Sequence, residues 1–383
     1  MKRRHFERLT ARGLSLGLCM LGLGVSSVAQ KTPTITTIDG PHAGTINGYG
    51  TVAIAICPAG QIAGFYADYS NVMHGYLLTA DGKMATLDVA PSGIGYGIPF
   101  PATGAGPGTY AIAGDACGIV AGYFVDGGGV AHGYIRAIDG TITKFDVPGA
   151  GTGSGQGTFA GNLSLSGELI AGNYIDGSGM NHGFLRTADG SITKFDVPGA
   201  ATGPGLGTTT YWAQCITPTG MITGSYMDKN GAVHGYVRGA DGTITTFDAL
   251  GAGTAAGQGT YAWAINPAGT TAGGSQDSNG VFHGLLRTAD GKITMYDIPG
   301  AGPGGTLAQG IDPAGVITGY YWDPNNVSHG YVRAVDGTFT FFDAPNAGTG
   351  PGQGTFPMTN NPGNAIVGYY IDNNNVWHGF VRR

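Results

Sequence analysis

From Thr34 onward, short apolar runs of alternating character are separated by clusters of Gly, Pro, Asn and Asp, and no stretch has the length or period of a helix. The segment Gly259 to Gly300 shows the pattern once in full. Thr260-Tyr261-Ala262-Trp263-Ala264-Ile265 alternates and ends at Asn266-Pro267-Ala268-Gly269, a turn. A second strand reaches Asp277, Ser278-Asn279-Gly280 makes a hairpin, and His283 to Arg287 forms a third strand. Asp290-Gly291 predicts a two-residue hairpin into a fourth strand, Lys292 to Asp297. Four short antiparallel strands in a repeat of this length make one propeller blade.

The pattern recurs. His-Gly stands at His74, His132, His182, His234, His283, His329 and His378. An aromatic or aliphatic residue followed by Asp closes at Asp39, Asp88, Asp146, Asp196, Asp248, Asp297 and Asp343. The two series are out of phase: the strand Thr34 to Asp39 precedes any His-Gly, and the last His-Gly runs to Arg383 with no Asp strand after it. One incomplete repeat at each end makes a whole one if the chain closes into a ring. The expected fold is therefore all-β, a seven-bladed β-propeller of four-stranded antiparallel blades, closed by the N-terminal strand joining the C-terminal blade. A stacked solenoid would need capping repeats instead of a split one. Ile142 to Ala150 and Ile192 to Ala200 are identical, as in a recent duplication.

Residues 1–29 stand outside this pattern and read as a signal peptide, leaving 30–383 as a single domain. Lys2, Arg3, Arg4, Arg8 and Arg12 precede a short apolar run, Gly13 to Val25, and the small residues Ser27-Val28-Ala29. Arg3-Arg4-His5-Phe6 is similar to a twin-arginine export signal, with ordinary secretory export as the alternative. The apolar run is too short to span a membrane. An extracellular or periplasmic location follows. Without this segment the chain has 13 basic and 23 acidic residues, a net charge near −10, which argues against nucleic acid as a partner. Cys57, Cys117 and Cys215 remain, an odd number, so no disulfide framework is expected, although a single Cys57–Cys117 bridge stays open.

The succession Asp-x5-His-Gly-[Tyr/Phe/Leu]-x-Arg, then Asp-Gly, then Phe-Asp, resembles the extracellular repeats of the HAF family, which is named for a His-Ala-Phe motif; here Gly stands in place of the Ala. The resemblance covers all of the mature chain. It implies a secreted bacterial repeat protein and no particular chemistry.

Each His follows an Asp by six residues: Asp68–His74, Asp126–His132, Asp176–His182, Asp228–His234, Asp277–His283, Asp323–His329 and Asp372–His378. A hairpin would bring each pair face to face. A carboxylate holding an imidazole suits a general base or a metal ligand. Seven equal copies cannot serve one active site, however, so a buried Asp–His hydrogen bond locking each hairpin is the preferred reading, with no metal and no cofactor. The Arg four residues after each His (Arg136, Arg186, Arg238, Arg287, Arg333 and Arg382, with Leu78 in the first repeat) is expected to stack on an aromatic or pair with an Asp.

Function should sit where the repeat is broken. The junction from the strand-end Asp to the next Gly-Thr is 11 residues in five cases, 8 after Asp297 and 20 after Asp88. The long one carries Tyr96 and Phe100 in an apolar, Pro-punctuated loop. Trp263 stands where other repeats carry Ile54, Ile112, Gly161, Gln214, Gln309 or Met358, and Trp212, counted back from the turn proline, matches Tyr261. Tyr96, Phe100, Trp212 and Trp263 are the candidate ligand-binding residues, as stacking anchors for a sugar ring. No catalytic set stands out. The expectation is a secreted binding or scaffold module, monomeric, for an extracellular glycan or another surface polymer. The alternatives are a polysaccharide lyase or hydrolase working at the central channel, and a structural cell-surface protein that mediates protein assembly.

Overall fold

The computed structural model describes residues 33–89, 108–115, 118–210 and 214–383. All regular structure in them is β-strand, and no helix among them is long and apolar enough to cross a membrane. The repeat expected at Gly259 to Gly300 folds as four antiparallel strands, Gly259–Ile265, Thr271–Gln276, Phe282–Arg287 and Ile293–Tyr296, paired in chain order. The last repeat has only three strands of its own, Gly354–Asn360, Ile366–Ile371 and Trp377–Arg382. Its fourth is Ile35–Ile38, which runs antiparallel to the third with Ile35 opposite Arg382 and Ile38 opposite Gly379.

Turn chemistry differs from the expectation in one respect. The Asp290-Gly291 hairpin is not a two-residue turn: Thr288 pairs with Lys292, and the Gly291 N–H donates to the Thr288 carbonyl. Only Gly291 is left-handed, with φ of 90°. A two-residue type I′ turn would need both central residues left-handed, whereas a three-residue loop needs only a closing glycine.

Seven equivalent hydrogen bonds tie successive repeats together. In each, the Thr after the opening Gly accepts the backbone N–H of the residue that follows the preceding strand-end Asp. Val147 N–H donates to Thr158 Oγ1 at 2.9 Å and Val197 N–H to Thr208 Oγ1 at 2.9 Å, and the series includes Gly40 N–H to Thr51 Oγ1 at 2.8 Å. A second tie uses the Arg series. The guanidinium of Arg186 lies over Phe145, Arg238 over Phe195, Arg287 over Phe247, Arg333 over Tyr296 and Arg382 over Phe342, all at 4.9–5.2 Å from the ring centre. Each cation therefore sits on the outer strand of the repeat before it, a contact of about 0.5–2 kcal/mol. Where that outer strand is Ile35–Ile38, the arginine is replaced by Leu78, which packs in an apolar cluster with Ile38 and Tyr76.

The glycine of His-Gly has a steric cause. A Cβ at Gly133, Gly183, Gly235 or Gly284 would lie 2.5–2.6 Å from the aromatic ring of the outer strand (Phe145, Phe195, Phe247 and Tyr296). The next side chain along, Tyr76, Tyr134, Phe184, Tyr236, Tyr331 or Phe380, is fully buried. Cys57 and Cys215 are buried free thiols, so the Cys57–Cys117 bridge left open by the sequence is not formed.

First strands carry a bulge at one fixed place, where Ile54, Ile112, Gly161, Trp263, Gln309 and Met358 are the extra residues. The fourth repeat departs from this. Thr209 pairs with Ser225 and Ile216 with Ile222, so six residues, 210–215, stand where the fifth repeat has three, 262–264. Gln214 reaches from this longer segment across to three other repeats. Its carbonyl accepts from Ile265 N–H, its Oε1 accepts from Ile311 N–H at 3.0 Å, and its Nε2 donates to the Asn360 carbonyl at 2.9 Å.

Candidate functional site

The seven histidines occupy one kind of site, and it is not quite the one expected. Each Nδ1 lies 2.8–3.0 Å from the strand-end Asp that follows it: Asp88, Asp146, Asp196, Asp248, Asp297 and Asp343 for the first six, and Asp39 for His378. The Asp six residues earlier is the weaker partner. Asp68, Asp126, Asp176, Asp228, Asp277, Asp323 and Asp372 stand with Oδ2 at 3.4–3.9 Å from Nε2. Their Oδ1 atoms are already engaged. Asp277 Oδ1 accepts the N–H groups of Asn279 and Val281, and the other six cap their own hairpins in the same manner. Nor are the pairs buried: the imidazoles keep 15–30% of their surface exposed.

Six of these rings stack on the aromatic opposite them on the second strand, as His74 does on Tyr66 and His182 on Tyr174; in the fifth repeat Ser275 stands there instead. The hydrogen bond that His378 Nδ1–H donates to Asp39 raises the His378 pKa above its ordinary 6.5. The Ser178 hydroxyl, followed by backbone and His182 donors, lowers Asp176 to about 2. Each imidazole stands between two carboxylates, held at Nδ1 by the strand-end Asp and facing the hairpin Asp across a longer gap at Nε2. Among the described residues no three His, Cys, Asp or Glu side chains form a metal-ligand set.

Of the four stacking candidates, Trp263 is described, whereas Tyr96, Phe100 and Trp212 lie outside the described residues. The expected match of Trp212 to Tyr261 falls on residues outside those described, and the register is known for Thr209. Counted from the opening Gly-Thr, Thr209 opposite Ser225 is the counterpart of Tyr261 opposite Gly274, because the three additional residues fall between that point and the turn proline.

Trp263 is half-buried at the bulge of its strand. Its ring rests on Gly274, where a Cβ would come within 3.1 Å of it. The counterparts of Gly274 on other second strands include Phe65, Tyr123, Tyr320 and Tyr369, so the tryptophan covers ground that an aromatic side chain takes elsewhere. Tyr261 and Phe282 complete a three-ring cluster with centroid separations of 5.5–6.2 Å, and both are half-buried as well. In the first repeat the matching Val52 and Ile54 are 1% and 0% exposed. Tyr261 and Phe282 were not singled out from the sequence; the missing aromatic at Gly274 was the available signal.

The turns that end the first strands surround a depression lined from all seven repeats, with Pro58, Gln214, Asn266, Pro313 and Asn360 among its walls. Among the described residues no Asp, Glu, His, Lys or Arg lines it.

No protein-family model matches the chain, and no curated protein matches it. Several solved structures are similar in fold at low identity. A puromycin hydrolase aligns over 86% of this chain and 52% of its own, with 12% identity and a TM-score of 0.51. The BP39L lectin from Burkholderia pseudomallei aligns over 88% of this chain and 96% of its own, with 11% identity and a TM-score of 0.49. TolB from Acinetobacter baumannii aligns over 75% of this chain and 64% of its own, with 14% identity and a TM-score of 0.46. The chain thus spans less than two thirds of the TolB and hydrolase chains. These likenesses concern the fold alone, which is all-β and propeller-like.

Proposed function

We propose that residues 30–383 form an exported, seven-bladed β-propeller of the HAF-repeat kind, closed by its N-terminal strand, that binds extracellular carbohydrate or a related surface polymer. The observation that carries the reading is the half-buried cluster of Tyr261, Trp263 and Phe282. It lies beside the one shortened junction, 298–305, and that junction has no charged residue. Flat aromatic faces beside uncharged backbone suit the apolar C–H face of a sugar ring. Trp263 is the principal anchor in this reading, with Tyr96, Phe100 and Trp212 as further anchors. A hydrolase or lyase finds no support, since the titratable groups of the repeat are paired with one another.

A thermal-shift screen of the mature chain against oligosaccharides, with calcium and with chelator, tests this. A ligand specific for the folded state adds about 2.7 kcal/mol at a hundred times its dissociation constant. A selective sugar shift supports the reading. Loss of stability in chelator alone would replace it with a metal-dependent one.

One observation favours the assembly reading as a second possibility. On the outer strand of the sixth repeat, Phe341 is 50% exposed where other repeats carry Lys144 or Lys194. Concentration-dependent sedimentation abolished by Phe341→Lys would support that role.

A further inference from the structure

Phe282, Trp322 and Trp377 each flank the Asp hairpin of their own repeat, in the fifth, sixth and seventh repeats respectively. All three therefore lie at the end of the fold that carries the junctions between repeats, and all three are half-buried. Phe282 stands in one aromatic group, and Trp322 and Trp377 share a second, in which Phe356 and Tyr369 stack on each other at 4.9 Å. Phe282 joins Tyr261 and Trp263; Trp322 meets Tyr320 and Phe356 edge-on at 6.0 and 5.4 Å; Trp377 stacks on Tyr369 at 5.3 Å.

The step from the first group to the second is unusually low. In three other junctions the residue before the opening Gly is a Gln that ties down the next hairpin: Gln156 Nε2 donates to the Gly177 carbonyl, Gln258 Nε2 to the Ser278 carbonyl and Gln353 Nε2 to Asn375 Oδ1. Between the fifth and sixth repeats that residue is Gly304, and a Cβ there would lie 2.4 Å from Trp322 Cδ1. Gly305 in turn sits against the Phe282 carbonyl, too close for any side chain. Two bare glycines thus separate the Trp263 group from Trp322. The counterparts of Trp322 in other repeats are Ala67, Val125, Ile175, Met227, Gln276 and Ile371, so the tryptophan belongs to this place alone. The junctions on either side of the sixth repeat, 298–305 and 344–353, contain no charged residue.

We infer that the ligand is an extended, uncharged saccharide chain whose successive rings cross from Trp263 over Gly304-Gly305 to Trp322. This rests on the carbohydrate reading above and adds to it the length and charge of the ligand. Aromatic groups met in series by a repeating polymer raise affinity with chain length, because the second contact is made by a ring already tethered by the first.

The test is calorimetric titration of the mature chain with β-1,4-linked glucose oligomers, from disaccharide to hexasaccharide, using the wild type, Trp322→Ala and Trp322→Met. Met stands at this place in the fourth repeat, so the second variant keeps the fold if the first does not. The expected result is a wild-type affinity that rises with length, and variants that bind the hexasaccharide about tenfold more weakly while binding the disaccharide unchanged. A wild-type affinity independent of length, or equal weakening at every length, would overturn the inference and leave the carbohydrate reading intact. Failure of the folded wild type to bind any member of the series overturns both.

Discussion

His378 Nδ1 lies 2.9 Å from Asp39 Oδ1, although 339 residues separate them in the chain. The other six histidines meet the corresponding Asp within their own repeat, 14 residues on. The N-terminal strand therefore supplies to the last repeat what every other outer strand supplies to its own, and Gly40 then ties it to Thr51 of the first repeat. Asp39→Ala should cost about 1 kcal/mol, the modest value expected of a half-exposed charged hydrogen bond. Removing residues 34–39 should cost far more and should expose Trp377–Arg382 as an unpaired edge, with aggregation as the readout. Equal melting temperatures for the wild type and the truncated chain would contradict this role.

The glycine of His-Gly makes a sharper prediction. Gly183→Ala places a methyl group 2.5 Å from the Phe195 ring, an overpacking that should cost about 1–3 kcal/mol by denaturant unfolding. Phe195→Leu in the same chain should recover part of the loss. If the double variant is no more stable than Gly183→Ala alone, the ring is not the cause.

Acid and base should act in opposite senses. A raised His378 pKa means that its contribution is complete below pH 6.5 and fades as pH rises through the folded value. A lowered Asp176 pKa means that its contribution is complete above about 3.8 and fades as pH falls toward 2. Asp39, Asp372 and the Tyr370 ring face His378, and none of them is a cation. The melting temperature should peak in the mildly acidic range and decline on both sides, with His378→Gln reducing the decline above pH 6.5. A melting temperature that rises steadily from pH 6 to 8 would contradict the assignment.

The strand order was legible because Gly, Asp and Pro recur at fixed offsets and an apolar period of two has few other solutions. The partner of each His was not. The six-residue spacing drew attention to the hairpin Asp, yet that carboxylate is occupied by its own turn, and the 14-residue spacing to the strand-end Asp is just as constant. In the fourth repeat the three additional residues before Pro218 were not legible, since an insertion between two fixed points cannot be located from one of them. The exchange of Arg for Leu78 beside Ile38 was visible in the sequence as two unrelated oddities. Packing joins them: Leu78 lies in one apolar cluster with Ile38, so the closing contact is apolar on both sides.

The most direct test of the central claim is calorimetric comparison of the wild type with Trp263→Ala, using the oligosaccharide that gives the largest thermal shift. The account predicts a loss of affinity of about tenfold or more in a Trp263→Ala variant that still folds, with some loss of melting temperature from the contacts its ring makes to Gly274, Tyr261 and Phe282. Unchanged affinity in a folded Trp263→Ala variant would contradict it.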